Sequence, residues 1–145
     1  MEDCIFCKII KGEIPSIKVY EDKNTLAFLD IKPFSRGHCL VVPKKHFESI
    51  FDISEDSLQR VAVVAKKISE KIKSTLKADG IRLSQSNGKA AGQEVMHFHL
   101  HIIPRYENDG LSANPTATLQ LPQADIEELK KLALQLRSGQ AEKIK

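Results

Sequence analysis

Three histidines alternate with apolar residues in His97-Phe98-His99-Leu100-His101, and Ile102-Ile103-Pro104 follows. The chain has five histidines in all, so most of its imidazole is concentrated here. In an extended strand alternate side chains share one face, which predicts three imidazoles in a row about 6.5 Å apart. Phe98, Leu100 and Ile102 would then point the other way, into a core. Imidazole titrates near neutral pH and serves as base, acid, nucleophile or metal ligand. Packing alone does not account for three of them on one face, because each buried polar group needs a partner. An imidazole that donates one nitrogen's proton to a carbonyl leaves the other nitrogen free as a nucleophile. His99 is the central candidate, with an imidazole on each side to stabilise a transferring phosphoryl group. The competing reading is that the three histidines together ligate a catalytic zinc ion.

A second constellation is Cys4-Ile5-Phe6-Cys7. Two thiols at this spacing need two further ligands to hold a metal, and His46 and His97 are available. A Cys₂His₂ set from Cys4, Cys7, His46 and His97 would be closed, hence structural, and would pin the N-terminus beside the histidine run. The alternative is a pair of free thiols. Cys39, between His38 and Leu40, reads as a small buried hydrophobe. Asp30-Ile31 could accept hydrogen bonds from a ribose diol and lie against a base, or could be a solvated strand end. Lys44-Lys45 reads as a solvated pair. Gly88 and Gly92 allow close approach of backbone to a ligand, and Asn87 and Gln93 offer side-chain amides beside them.

The elements that must position these residues follow from pattern. Cys4 to Lys11 reads as a short helix ending at Gly12. Ile17 to Glu21 and Leu26 to Ile31 read as strands joined by an Asp22-Lys23-Asn24 turn. His38 to Val42 reads as a strand stopped by Pro43. Ser54-Glu55-Asp56 opens a long helix with an N-cap hydroxyl and first-turn acids. Leu58, Val61, Ala65, Ile68, Ile72 and Leu76 form its apolar stripe, and Asp79-Gly80 ends it. Ile81 to Gln85 and Val95 to Ile103 read as strands flanking a loop over Asn87 to Gly92. Pro122 to about Arg137 reads as a second helix with Ile126, Leu129, Leu132 and Leu136 inward, followed by a frayed tail. The prediction is an α+β fold in which helices cover an antiparallel sheet of about five strands.

With 145 residues, the chain is expected to form one domain. The hydrophobic share of 41% and charged share of 28% are those of a soluble globular protein. A net charge of +3 with scattered Lys and Arg argues against nucleic-acid binding and suits a small anionic ligand. No run approaches a membrane span, Met1-Glu2-Asp3 opens no signal sequence, and three cysteines fit thiols or ligands. A cytoplasmic protein with no membrane partner is expected.

These motifs, taken together and in order, resemble the histidine triad (HIT) family of nucleotide-binding proteins. The resemblance rests on His97 to Ile103, on Cys4-Ile5-Phe6-Cys7, on Phe28-Leu29-Asp30-Ile31 and on Gly37-His38-Cys39-Leu40-Val41-Val42-Pro43-Lys44-Lys45-His46. Asn87 with Gly92-Gln93 adds to it, and the likeness spans residues 4 to 110. It is similar to the bacterial zinc-bearing members of the purine-nucleoside-phosphoramidase branch. The resemblance implies a single domain over 1–145, with a core over 4–110 and a C-terminal helical extension over 111–145. It implies a homodimer with sheets joined across the interface. It implies a hydrolase of nucleoside 5′-phosphoramidates or related AMP- or GMP-type substrates, with His99 forming a covalent nucleotidyl intermediate. His101 and His38 would flank the phosphate. Asp30 and Ile31 would line the ribose and base. Asn87, Gln93 and the backbone near Val95 would bind phosphate oxygens, with Glu94 among the nucleotide-binding residues on the leaving-group side. One structural zinc ion per chain would sit on Cys4, Cys7, His46 and His97.

Glu94 stands where the related branch often carries serine, which bears on the leaving group, and residues from Arg105 onward lie beyond the core motif. The alternatives are a dinucleoside polyphosphate hydrolase and a nucleotide-binding scaffold module with incidental turnover. A hexose-phosphate-type nucleotidyl transferase would carry a His-Pro-His run, which this sequence lacks.

Overall fold

In the computed structural model, which describes residues 3–111 and 125–137, all five strands belong to one sheet. The chain runs α1 (Ile5–Ile10), β1 (Lys18–Glu21), β2 (Thr25–Leu29), β3 (Cys39–Pro43), α2 (Glu55–Leu76), β4 (Gly80–Ser84), β5 (Leu100–Arg105) and α3 (Ile126–Arg137). The strand order is β1-β2-β3-β5-β4, with every neighbouring pair antiparallel. This is the α+β architecture expected, with two main helices.

Local chemistry accounts for the element ends. The Asp22 carboxylate accepts from the amides of Asn24 and Thr25 at 2.8 and 2.9 Å and closes the first hairpin. Ser54 caps α2, its hydroxyl accepting from Ser57 N–H at 3.1 Å, with Glu55 and Asp56 in the first turn. The helix stops at Lys77, which adopts a left-handed conformation with φ 58°, two residues before the Asp79-Gly80 stop expected. Gly80 instead begins β4.

The central strands β2 and β3 are buried along their whole length because both sheet faces are covered. One face carries Val19, Ala27, Leu29, Cys39, Val41, Phe98 and Ile102 against the stripes of α2 and α3. The stripe of α3 is Leu129, Leu132, Ala133 and Leu136. Ile126, expected inward, is 38% exposed, and Ala133 takes its place one turn from Leu129 and Leu136. Residues 122–124 of that expected helix, and the tail from 138, lie outside the described residues. On the opposite face α1 lays Phe6 and Ile9 over Leu26, Phe28, Leu40 and Val42. Phe6 of this second layer packs against the rings of His97 and His99.

The expected histidine strand over Val95 to Ile103 is shorter than its pattern. Pairing between β3 and β5 stops at Val41–Leu100, so His97 and His99 precede the strand. Phe98 N–H donates to the carbonyl of Phe47 at 2.7 Å, and His97 bonds the carbonyl of Pro43. These bonds replace the regular ladder where β3 runs into a proline, which has no N–H to give. Only His101 lies in a paired position, opposite Leu40.

Candidate active site and candidate metal centre

The two groups of histidines are separated by their hydrogen bonds. His99 Nδ1 lies 2.7 Å from the carbonyl oxygen of His97. A carbonyl only accepts, so Nδ1 carries the proton and Nε2 presents a bare lone pair. Burial lowers the pKa of His99 and keeps that lone pair available; the carboxylates of Asp30 and Glu94 act in the opposite sense. An imidazole with these properties is a nucleophile.

The neighbouring pair is fixed in the same manner. Phe34 N–H donates to His38 Nδ1 at 2.9 Å, so the proton of His38 resides on Nε2. That nitrogen lies 2.9 Å from His101 Nδ1 and donates to it. His101 therefore carries its own proton on Nε2, as a donor beside His99, the two rings 5.1 Å apart between centroids. Burial pulls both His38 and His101 down to about 4, so both are neutral at pH 7. Asp30 completes this corner. Its Oδ2 is 3.9 Å from His38 Nε2 and its Oδ1 accepts from Lys32 N–H at 2.8 Å. Burial raises the Asp30 carboxyl above its usual range, with His101, His99 and Lys32 opposing. Asp30, His38 and His101 are close enough together to be compared with a metal site. The bond from Phe34 argues against that use, because it forces the proton onto the one nitrogen of His38 that would ligate.

The second group is Cys4, Cys7, His46 and His97, four donors gathered at the start of α1. His97 Nε2 donates to the Pro43 carbonyl at 2.9 Å, which leaves Nδ1 as a lone pair directed at the others. His97 Nδ1 is 3.1 Å from His46 Nδ1, 3.4 Å from Cys4 Sγ and 3.6 Å from Cys7 Sγ, and Cys7 Sγ is 3.3 Å from His46 Nδ1. The edges of a tetrahedral Cys₂His₂ zinc site are about 3.3 Å for N to N and about 3.6 Å for N to S. The donor set therefore fits such an ion. Cys4 Sγ also caps α1, accepting from Cys7 N–H at 3.3 Å, a bond suited to a thiolate ligand. None of the three cysteines is in a disulfide. Cys39 is fully buried, as expected of a small hydrophobe.

Phe6, between the two cysteines, joins the groups. Its ring packs edge-on against His99 at 5.1 Å, against His97 at 5.9 Å and against Phe28 at 5.7 Å. Neither Phe6 nor Phe34 was marked by the sequence: the first is an ordinary core residue by type, and the second acts through its backbone.

The remaining expected site residues are placed less uniformly. Ile31 follows Asp30 and is 44% exposed, an apolar surface beside that carboxylate. Glu94 is exposed, and Val95 packs against the second core layer. Gln93 is buried with its amide fully engaged, Nε2 donating to the carbonyls of Glu48 and Val95 and Oε1 accepting from Gly88 N–H at 2.7 Å. Asn87 Oδ1 accepts from Ile50 N–H at 2.6 Å and from Gln85, and its Nδ2 donates to Gln85 at 2.6 Å. The acceptors of both amides hold the loop before the triad. Lys44 is not simply solvated: it pairs with Glu21 at 2.9 Å. Lys45 lies over the Phe47 ring.

The HIT domain family model matches residues 11–108. Protein hit of Bacillus subtilis is 46% identical over 113 residues, covering 77% of this chain and 78% of its own. An uncharacterized HIT-like protein of Methanocaldococcus jannaschii is 55% identical over 107 residues, covering 74% of this chain and 82% of its own. Among solved structures, a zinc-bound histidine triad family protein from Mycobacterium smegmatis superposes with a TM-score of 0.81 at 37% identity, over 97% of this chain and 98% of its own. A hypothetical histidine triad nucleotide-binding protein from Sulfolobus tokodaii gives a TM-score of 0.84 at 40% identity, over 96% and 93%. With a family model over most of its length and relatives this similar, the chain belongs to the histidine triad (HIT) family.

Proposed function

We propose that this protein is a nucleotide-binding hydrolase that cleaves nucleoside 5′-phosphoramidates or related nucleotidyl substrates through His99. The observation that carries the reading is the bond from His99 Nδ1 to the His97 carbonyl, which leaves Nε2 unprotonated beside the Nε2–H of His101. In the first step Nε2 attacks the α-phosphorus. An Nε2–P bond forms, and the bond to the leaving nitrogen breaks with its electron pair going to that nitrogen, which takes up a proton from solvent. In the second step water adds to phosphorus and gives a proton to solvent, the Nε2–P bond breaks with its electron pair returning to Nε2, and a nucleoside monophosphate leaves. His101 donates to a phosphoryl oxygen in both steps. Between them His99 carries positive charge, since Nδ1 keeps its proton. The His97 carbonyl, Asp30 and Glu94 all favour that charge.

Asp30 would receive the ribose hydroxyls and Ile31 would lie against the base. Gln93 and Asn87 would serve by shaping the loop, and Glu94 and Val95 by lining the leaving-group side. Among charged side chains, the carboxylates of Asp30 and Glu94 act on His99, and Asp30 on His101. That balance suits one phosphoryl group with a neutral or cationic leaving group better than a polyphosphate. Cys4, Cys7, His46 and His97 would hold one structural zinc ion per chain, and the zinc-bound relative supports this choice of metal. Free thiols support a reducing, cytoplasmic setting, and among the described residues no helix is long and apolar enough to cross a membrane. β1 and β4 are the two edges of the sheet, where sheets would join in a homodimer. We read the chain as one domain.

The test is a rapid-quench mass spectrum of the protein mixed with adenosine 5′-phosphoramidate, beside His99→Ala. The expected result is a transient adduct of one adenylyl group on the wild type and none on the variant. Absence of adduct and turnover, with AMP still bound, would favour the scaffold reading.

A further inference from the structure

Three consecutive residues at the end of the triad strand grip three consecutive residues of the loop before β3. The Arg105 guanidinium lies 5.7 Å from the centroid of the Phe34 ring. The Ser35 hydroxyl, itself buried, donates to the Pro104 carbonyl. The Tyr106 hydroxyl donates to the Arg36 carbonyl at 3.0 Å. Arg105 is held in turn by Asp109 through Nε at 2.9 Å and Nη2 at 3.1 Å. Asp109 also accepts from Tyr106 N–H at 3.1 Å. Gly37 closes the loop at φ 92°, and a Cβ there would meet Leu76 Cδ1 at 2.7 Å and Pro104 Cγ at 3.2 Å. The loop and the end of β5 are fitted to each other residue by residue.

The product of this fit is a single backbone amide. Phe34 N–H is the donor that sets the tautomer of His38, and His38 sets that of His101. If the amide turned away, His38 would be free to carry its proton on Nδ1, its Nε2 would become an acceptor, and His101 would have to donate to it through Nδ1. The Nε2 of His101 would then face the phosphoryl group with a lone pair in place of a proton. We propose that Pro104-Arg105-Tyr106, with Asp109 behind Arg105, is a positioning clamp on Phe34-Ser35-Arg36 that holds His38 and His101 in the tautomers needed for phosphoryl transfer. Pro104, Arg105 and Tyr106 are positioning residues and touch no substrate. The inference rests on the proposed hydrolase for its effect on rate but not for its effect on protonation.

The test uses the full chain labelled with ¹⁵N-histidine and the double variant Ser35→Ala, Tyr106→Phe, which removes two polar ties and keeps the ring and the Arg105 stack. Long-range proton–nitrogen spectra report which nitrogen of each imidazole is protonated. The expected result is faster exchange of the Phe34 amide, appearance of His38 protonated on Nδ1, and a kcat lower by about tenfold with KM little changed. An unchanged His38 tautomer in a folded variant, or an undisturbed Phe34 amide, would overturn the clamp. Should the double variant not fold, Tyr106→Phe alone removes one exposed hydroxyl and is read by the same spectra. A wild type without turnover would sink the hydrolase and leave the tautomer arm decisive.

Discussion

The Phe6 ring stands edge-on to His99 at 5.1 Å, and Phe6 sits between two of the four candidate metal donors, Cys4 and Cys7. The helix that carries it is six residues long, too short to hold itself together in water. Whatever fastens Cys4 and Cys7 therefore also holds the ring that packs against His99, the proposed nucleophile. Cys7→Ala is expected to abolish binding of about one zinc ion per chain. It should lower stability by roughly 3 kcal/mol or more and reduce turnover although Cys7 touches no substrate. Metal analysis, thermal unfolding and steady-state rates on the same preparation check this. Full turnover in a metal-free, destabilised variant would separate the metal group from the site.

Stability should fall as the solution is acidified from pH 6.5 to pH 4. His38 and His101 are held neutral by burial down to about pH 4, whereas in the unfolded chain they take up protons near pH 6.5. Between these values the unfolded state binds more protons, so unfolding is favoured as pH drops. Each group contributes up to about 1.4 kcal/mol per pH unit in mid-window. Urea unfolding across that range should give a slope that His38→Asn flattens by about one proton. Any loss of metal in acid affects both proteins and cancels in the difference. Parallel slopes would mean that His38 is not neutral in the fold.

Much of this site was legible because its chemistry is local. The C-x₂-C spacing, the alternation of histidine with apolar residues, and the Ser54 cap are written within a few residues each. His46 and His97 are available partners for the two thiols, and the family resemblance implies that set. What the sequence did not carry is where regular pairing ends. His97 and His99 have perfect strand alternation, yet the ladder stops before them because Pro43 has no N–H and its carbonyl is taken by the His97 ring. Amphipathic spacing likewise ranked Ile126 above Ala133, while the surface that α3 meets accepts the smaller residue. The place of Asn87 and Gln93 in a glycine loop suggests ligand amides, and only the fold shows how far backbone partners engage them. Phe34 gave no sign at all, since a backbone amide has no letter of its own.

Glu94 should tune the charge of the leaving group. It is exposed, it acts electrostatically on His99, and Gln93 on one side of it bonds the carbonyl of Val95 on the other. A fixed carboxylate there favours a cationic amine over an anionic phosphate in the same position. Glu94→Gln is expected to shift the ratio of kcat/KM for an alkylamine phosphoramidate over a dinucleoside polyphosphate by about fivefold toward the polyphosphate. The shift should shrink as salt rises, because an exposed charge is screened. A ratio that does not move at low salt would remove Glu94 from the leaving-group side.

Gln93 offers a direct contrast between holding a loop and holding a ligand. Its one amide joins the carbonyls of Glu48 and Val95 to the amide of Gly88, three backbone groups from segments up to 45 residues apart. Buried backbone groups that lose such a partner are costly, about 1 to 3 kcal/mol each. Gln93→Leu keeps the volume and removes all three bonds, so a stability loss of roughly 3 kcal/mol is expected. The release of Val95 should lower kcat, because the segment leading into His97 and His99 loses its anchor. Were Gln93 instead a direct phosphate ligand, the same substitution would raise KM and leave the unfolding midpoint almost where it was. Denaturant unfolding and a kcat against KM comparison on one variant therefore decide between the two roles.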